Sequence, residues 1–374
     1  MSLSILHICN DFPYTKVHRN LYRELDKIGH CQLIFHPLRS NTVKGENTID
    51  FKNMDSRIIY SPKIKSYHRL IFEAKTKFLY SSLVNQINPV EIKVVCATTL
   101  FSDGVLAYKL FKDYGIPYIV AVRNTDIHIF LKYRPDLMSL GRRILNDASK
   151  VIFISKSNYE NFFNHKLVKG HPYFKEKSEI INNGVDNFWL VNQSTKSLKQ
   201  VPSEILFIGK FDDNKNILNL LKAFEKLKKV RKEIKLNIVG AGGSNESKVL
   251  QLAKGNPSIK VYGKVTSKKE LLQIFGKSHV FAMASYRETF GLVYVEALTQ
   301  GLPILFTRKQ GIDGTFEEDI GVSVNPSSVK GIYDGLHFIL ENFHRFEIPS
   351  IGRRDFGWDY VALKYHNILK NVKA

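Results

Sequence analysis

Short apolar runs alternate with amphipathic stretches along almost the whole chain, and this constrains the fold more than any single motif. It is the pattern of βα units wound around parallel sheets. In the first half, strands are expected at Leu3–Ile8, Cys31–His36, Val94–Ala97, Pro117–Val122 and Val151–Ser155. In the second half they fall at Ile205–Ile208, Leu236–Val239, Ile259–Tyr262, Val280–Ala284 and Pro303–Phe306. The intervening segment "HRNLYRELDKIGH" puts Leu21, Leu25 and Ile28 on one helical face and supplies Gly29 as its stop.

The chain is longer than one hydrophobic core usually sustains, and its 44% apolar residues can fill two. The expected fold class is therefore α/β, with two Rossmann-like doubly wound domains over residues 1–190 and 201–350. The polar, irregular stretch Val185–Ser203 between them reads as the linker. Ligands of open α/β sheets bind beyond the carboxyl ends of the strands, so two such sheets are expected to face a substrate across a cleft.

With 55 Lys and Arg against 35 Asp and Glu, the formal charge is +20. That excess suits an anionic partner, whether nucleic acid, an acidic membrane surface or a phosphorylated ligand, and does not choose among them. Cys9, Cys31 and Cys96 are isolated in or beside apolar segments and read as reduced core thiols. No apolar run reaches the length of a membrane span, and the first strand begins too early for a secretory signal, so a cytoplasmic location is expected.

Four stretches of the second half have the makings of a ligand site. "ILFIGKFDDNKNILNLLKAFEKL" passes from a strand through a short loop into a helix, with Gly209, Lys210 and Lys215 at the strand exit, where an anion would also meet the helix start. Solvated surface lysines are the plainer alternative. "LNIVGAGGSNES" carries Gly240, Gly242 and Gly243 after a strand, either to let backbone approach a ligand or simply to make a tight turn. Backbone groups of Gly263–Val265, after a third strand, could read a base edge.

The fourth stretch, "ASYRETFGLVYVEALTQGLPIL", sets Glu288 and Glu296 in an otherwise mostly apolar run. Carboxylates are seldom buried without a partner. A strand, a loop over Ser285–Phe290 and a helix over Gly291–Gln300 put Glu288 before the helix and Glu296 about one and a half turns inside it. Glu288 could merely cap the helix. Capping does not explain Glu296, which lies among Val293, Val295, Ala297 and Leu298, where it can accept hydrogen bonds from paired hydroxyls such as those of a ribose. The amides of Phe290, Gly291 and Leu292 point from the helix start toward the same space.

At these residues the chain resembles the retaining glycosyltransferases with the GT-B fold, family 4, also called the glycosyl transferase group 1 domain. The likeness is densest over "FIGKFDDNKNILNLLKAF", "LNIVGAGG", "VYGKVTSKKELLQIF" and the two glutamates with their following "GLPIL". It extends upstream through "FSDGVLAYKLFKDYGIPYIV" and "IINNGVDNFWL", and into the tail "FGWDYVALKYHNILKNV". The tail, within residues 351–374, is similar to a final helix that packs back on the first domain. The resemblance implies that Lys210 and Lys215 neutralise the donor diphosphate, Glu288 holds hydroxyls of the donor sugar and Glu296 binds the ribose. The amides of Phe290, Gly291 and Leu292 would cradle phosphate or sugar oxygens.

Two departures stand out. Lys210 occupies a place where arginine is usual, keeping the charge but losing the bidentate fork. In "YIVAVRNTDIHIF", Arg123 and Asn124 replace a His-Gly pair common in the family, and arginine cannot act as a base. The role implied for Arg123 is electrostatic, toward an acidic acceptor or the departing phosphate. Asn10, Asp11 and Tyr14 of the first loop are candidate acceptor contacts.

The expected activity is transfer of a hexose or N-acetylhexosamine, with retention, from a nucleotide sugar such as a UDP-sugar to a glycan or lipid-linked acceptor in cell-surface polysaccharide synthesis. The nucleotide sugar is a co-substrate, and no other cofactor is expected. The sequence contains no D-x-D pair, so no metal requirement is expected either. An epimerase or phosphorylase on the same fold is the enzymatic alternative, and a basic nucleic-acid-binding protein the non-enzymatic one. Against the latter, basic residues are scattered and no nucleic-acid module is recognised, so no nucleic-acid partner is expected. The segment Lys63–Val84 mixes lysines with Tyr67, Leu70, Ile71, Phe72, Phe78 and Leu79. It reads either as a helix lying on the anionic inner face of a membrane or as an ordinary helix packed on the first sheet.

Overall fold

A computed structural model describes residues 3–39, 42–194 and 201–372. The chain divides into two compact units. The first comprises Met1–Ile154, Asn158–Gly184 and Trp358–Ala374; the second comprises Ser155–Ser157 and Val185–Gly357.

The first unit is built on seven parallel strands: β1 (Ser4–Ile8), β2 (Cys31–His36), β3 (Arg57–Tyr60), β4 (Val94–Ala97), β5 (Tyr118–Val122), β6 (Lys150–Phe153) and β7 (Ser178–Ile180). Their order is β3-β2-β1-β4-β5-β6-β7, so the winding reverses between β1 and β4. The central strands are buried on both faces, which is why they read as continuous apolar runs. Strands β3 and β7 escaped the sequence reading because they are short edge strands of mixed polarity.

The helix Trp358–Asn371 belongs to this unit. Its Val361, Ala362, Ile368 and Leu369 pack in one cluster with Leu21, Tyr22 and Leu25 of the helix Lys16–Lys27. The tail therefore packs within the first unit.

The stretch Lys63–Val84 is not one continuous helix. A 3-10 turn spans Ser66–Arg69 and the α-helix begins only at Phe72. That helix sends Phe72, Leu79 and Leu83 into the core, each contributing about 1.5–3 kcal/mol by burial. Tyr67, Leu70 and Ile71, just before it, stay exposed. Among the described residues no helix is long and apolar enough to cross a membrane.

The second unit carries six parallel strands: β8 (Glu204–Ile208), β9 (Lys235–Val239), β10 (Ile259–Gly263), β11 (Val280–Ala282), β12 (Ile304–Thr307) and β13 (Gly321–Val324). The order β10-β9-β8-β11-β12-β13 reverses between β8 and β11. β13, half exposed at the sheet edge, was the strand of this half that the sequence did not announce.

The expected linker is partly structured. Val185 makes a parallel bridge to Gly357, Asp186 caps the short helix Asn187–Val191, and Trp189 is buried. A buried indole is hydrophobic anchorage that a solvated linker would lack. Residues 195–200 of that stretch lie outside the described residues.

Candidate functional site

The reversal of strand order between β8 and β11 sends their following connections apart and leaves a crevice at the carboxyl edge of the sheet. The loop after β8 carries Lys210 and Lys215, and the loop after β11 carries Glu288. Although 73 positions apart in sequence, Lys215 Nζ donates to Glu288 Oε2 at 2.7 Å. Both side chains are largely shielded, at 27% and 11% exposed, so solvent screens this pair less than a surface pair. Lys210 is exposed, and its stem passes over Gly242.

Side-chain amides lace the two loops together. Asn214 Oδ1 accepts from the Arg287 amide at 3.0 Å, and Asn214 Nδ2 donates to the Arg287 carbonyl at 3.0 Å. Asn216, at φ 57°, takes the left-handed conformation that asparagine tolerates, and its Nδ2 donates to the carbonyls of Ala284 and Pro326. Gln310, after β12, accepts from the Glu288 amide at 2.9 Å and donates to the Tyr286 carbonyl at 3.0 Å. Sequence reasoning missed Asn214, Asn216 and Gln310. Only the polar turn "DDNKN" hinted at the two asparagines, and nothing hinted at Gln310, because their partners come from distant loops.

The three glycines singled out at strand exits are brought side by side. The Gly209 amide donates to the Val239 carbonyl, and the Gly240 amide donates to the Gly263 carbonyl at 2.8 Å. A Cβ on Gly240, at φ 151°, would stand 1.8 Å from the Gly209 carbonyl oxygen, so only glycine fits. The Gly242 amide donates to Glu246 Oε1, so the 240–243 turn uses two of its amides internally. Val265 follows, half-buried.

The helix that follows Glu288 spans Leu292–Thr299. Gly291 precedes it at φ 80°, where a Cβ would strike the Tyr294 ring at 2.4 Å. The first amides of a helix have no intrahelical acceptor, and here they border the Glu288 loop. Phe290 is buried against Phe356, and the Tyr294 hydroxyl donates to the Met283 carbonyl at 2.6 Å, which fixes the helix on β11. Glu296, half-buried on this helix, lies in a different polar neighbourhood from Glu288. Burial pushes its carboxyl up to about 7, Asp186 adds to the rise, and Lys268 with the Trp189 indole opposes it. Lys268 itself bonds Asp186 at 2.5 Å. A cation thus stands within electrostatic reach of Glu296, which the sequence had not suggested.

Arg123 belongs to the first unit, just beyond β5. Its Nε donates to the Thr98 carbonyl at 3.2 Å, and the side chain bonds the Tyr365 hydroxyl. The neighbouring Asp126 is fully buried and accepts from the amides of Leu100, Phe101 and Arg123 at 3.0, 3.1 and 2.9 Å. Burial raises its carboxyl to about 6 against those three donors. Asp126 therefore organises the loops after β4 and β5, a structural duty the sequence did not disclose.

Two Rossmann-like units, each with a parallel sheet and a single reversal of strand order, define the class: the GT-B fold. The Anabaena protein HepE, solved with UDP and glucose, superposes over 99% of this chain and 100% of its own with a TM-score of 0.67 at 14% identity. Residues 191–347 match the family model described as glycosyl transferases group 1. A probable sucrose-phosphate synthase of Thermosipho melanesiensis is 25% identical over 73% of the chain, and an alpha-monoglucosyldiacylglycerol synthase of Streptococcus pneumoniae 24% identical over 77%. The alignments span 69% and 66% of those two proteins. The chain has the GT-B fold, and residues 191–347, within its second unit, match the glycosyl transferases group 1 family.

Proposed function

We propose that the protein is a retaining glycosyltransferase that moves a hexose or N-acetylhexosamine from a UDP-sugar to a glycan or lipid-linked acceptor in cell-surface polysaccharide synthesis, without a metal. The observation that carries this reading is the convergence of Lys215 and Glu288 at the reversal point of the second sheet, beside the start of the helix that bears Glu296. A carboxylate, cations and helix amides in one crevice match the parts of a nucleotide sugar. UDP as the nucleotide is supported by the UDP and glucose bound to the Anabaena relative, and a lipid-linked acceptor by the name of the Streptococcus relative.

In the proposed reaction the bond between the anomeric carbon and the diphosphate oxygen breaks as the acceptor hydroxyl approaches the same face. Lys210, Lys215 and the amides of Phe290, Gly291 and Leu292 stabilise the charge gathering on the departing diphosphate. The hydroxyl proton passes to a phosphate oxygen, so no protein base is required. Glu288 holds sugar hydroxyls, and Glu296, once ionised, accepts from the ribose hydroxyls. Arg123, in the first unit, supplies positive charge for an acidic acceptor. The exposed Tyr67, Leu70 and Ile71 with Lys63 and Lys65 would rest on the anionic inner face of the membrane, leaving the protein cytoplasmic but peripheral.

The test is a panel of sugar nucleotides followed by NMR of the anomeric proton, with and without EDTA. Consumption of one UDP-sugar with the anomeric configuration kept, unaffected by EDTA, is expected. Inversion, loss of turnover in EDTA, or epimerised sugar nucleotide without release of UDP would refute the corresponding part of the reading.

A further inference from the structure

The carboxyl edge of the first sheet holds a second set of charges, gathered by the loops after β1, β2, β4 and β5. Asp11 pairs loosely with Arg39 at 3.4 Å, and the Arg39 guanidinium lies over the Tyr14 ring. Lys75 reaches in from the helix Phe72–Val84; it is half-buried, within electrostatic range of Asp103, Arg39 and Asp11, and burial lowers its pKa. Asp103 is fully buried, its Oδ2 accepts from the hydroxyls of Thr98 at 2.7 Å and Thr99 at 3.0 Å, and its Oδ1 has no partner among the described residues. Thr98 links the two ends of this set, since its carbonyl also accepts from Arg123.

Of these cations only Arg39 is in an ion pair among the described residues, with Asp11. Arg123 and Lys75 form no ion pair among the described residues, and the bonds of Arg123 to Thr98 and Tyr365 leave donors of its guanidinium unused. His7 and His18 line a small cavity with Arg123, and burial lowers both to about 3, so they are neutral and do not compete for an anion. Burial also pushes the Asp103 carboxyl up to about 7, which weakens the buried countercharge of Lys75 at neutral pH. Asp126 attracts Arg123 electrostatically, but both its oxygens are taken by three backbone amides, so the unused guanidinium donors remain open to an anion.

We propose that this edge of the first unit binds an anionic group of the acceptor, a phosphate or a carboxylate, with Arg123 as the direct contact and Lys75 as supporting charge. The identification of the bound molecule as the acceptor rests on the glycosyltransferase reading above; the anion site itself does not. A guanidinium meets both oxyanions through paired N–H donors, which a histidine at this place could not do.

The test titrates the full-length chain calorimetrically with methyl phosphate, inorganic phosphate and glucuronate at constant ionic strength, and separately with UDP. At least one of the three small anions is expected to bind, and the preferred one tells a phosphate from a carboxylate acceptor. Arg123→Gln should weaken it about tenfold or more, the scale of one hydrogen bond to a charged group; Lys75→Met should weaken it less, and Lys215→Ala not at all. UDP should bind Arg123→Gln as it binds the wild type. Should Arg123→Gln fail to fold, Arg123→Lys serves, with a smaller loss expected because charge remains and the fork is gone. The proposal is overturned if none of the anions binds, if neither Arg123 variant changes the affinity, or if binding disappears in Lys215→Ala. Failure of the wild type to bind UDP would instead remove the donor reading while leaving the anion result intact.

Discussion

At the reversal point of the second sheet Lys215 and Glu288 satisfy one another at 2.7 Å, whereas at that of the first sheet Arg123 and Lys75 have no ion-paired carboxylate among the described residues. The two crevices share a topology and differ in how their charge is balanced. In the donor site proposed for the second unit a ligand would have to exchange partners: a diphosphate would draw Lys215 away and leave Glu288 to accept from hydroxyls. A nucleotide sugar offers both groups at once, so the exchange leaves neither charge stranded. In the first unit an anion adds a partner without displacing one. Internal pairing therefore selects for a ligand with two kinds of group, and an open cation for a ligand with one.

The sharpest way to break this comparison is to remove one half of the internal pair. Lys215→Ala should lower UDP affinity roughly 10- to 100-fold, the range of a hydrogen bond to a charged group, whereas Glu288→Ala should chiefly lower turnover; calorimetry with steady-state kinetics separates the two. A stability effect comes next. Gly240→Ala forces a Cβ onto the Gly209 carbonyl and should cost about 3 kcal/mol, read as a fall in melting temperature. A substitution there tolerated without loss would mean that the three strand-exit glycines are not held as tightly as described.

The pH dependence of UDP binding is a finer probe of the second crevice. A carboxyl raised to about 7 in the folded protein is neutral below that pH, so Glu296 contributes stability below its unfolded pKa that is lost as pH rises through about 7. Ribose hydroxyls need the ionised form. UDP affinity should therefore weaken as pH falls below about 7, by up to about tenfold per pH unit for one linked proton. In Glu296→Gln that part of the slope should vanish, while the diphosphate's own ionisation remains common to both proteins. Equal slopes would remove Glu296 from the ribose site.

Much of this was legible before any coordinates. The central strand β4 is legible at its observed bounds because burial on both faces leaves a continuous apolar run. Edge strands β3, β7 and β13 were not, since one exposed side lets polar residues break the run. Glu288, Glu296 and the two lysines stood out as charges beside core segments. Their partners did not, because the Lys215–Glu288 pair, the Gln310 bridge and the amides on Asp126 all join loops distant in sequence. A sequence shows which side chains are out of place, and the topology decides what each one meets.

The most direct test of the central claim, that the reversal point of the second sheet is the nucleotide site, is hydrogen–deuterium exchange with and without UDP. Protection should appear in residues 209–216 and 285–296 of the second unit and be lost in Lys215→Ala. Protection confined to the first unit, or none at saturating UDP, would contradict it.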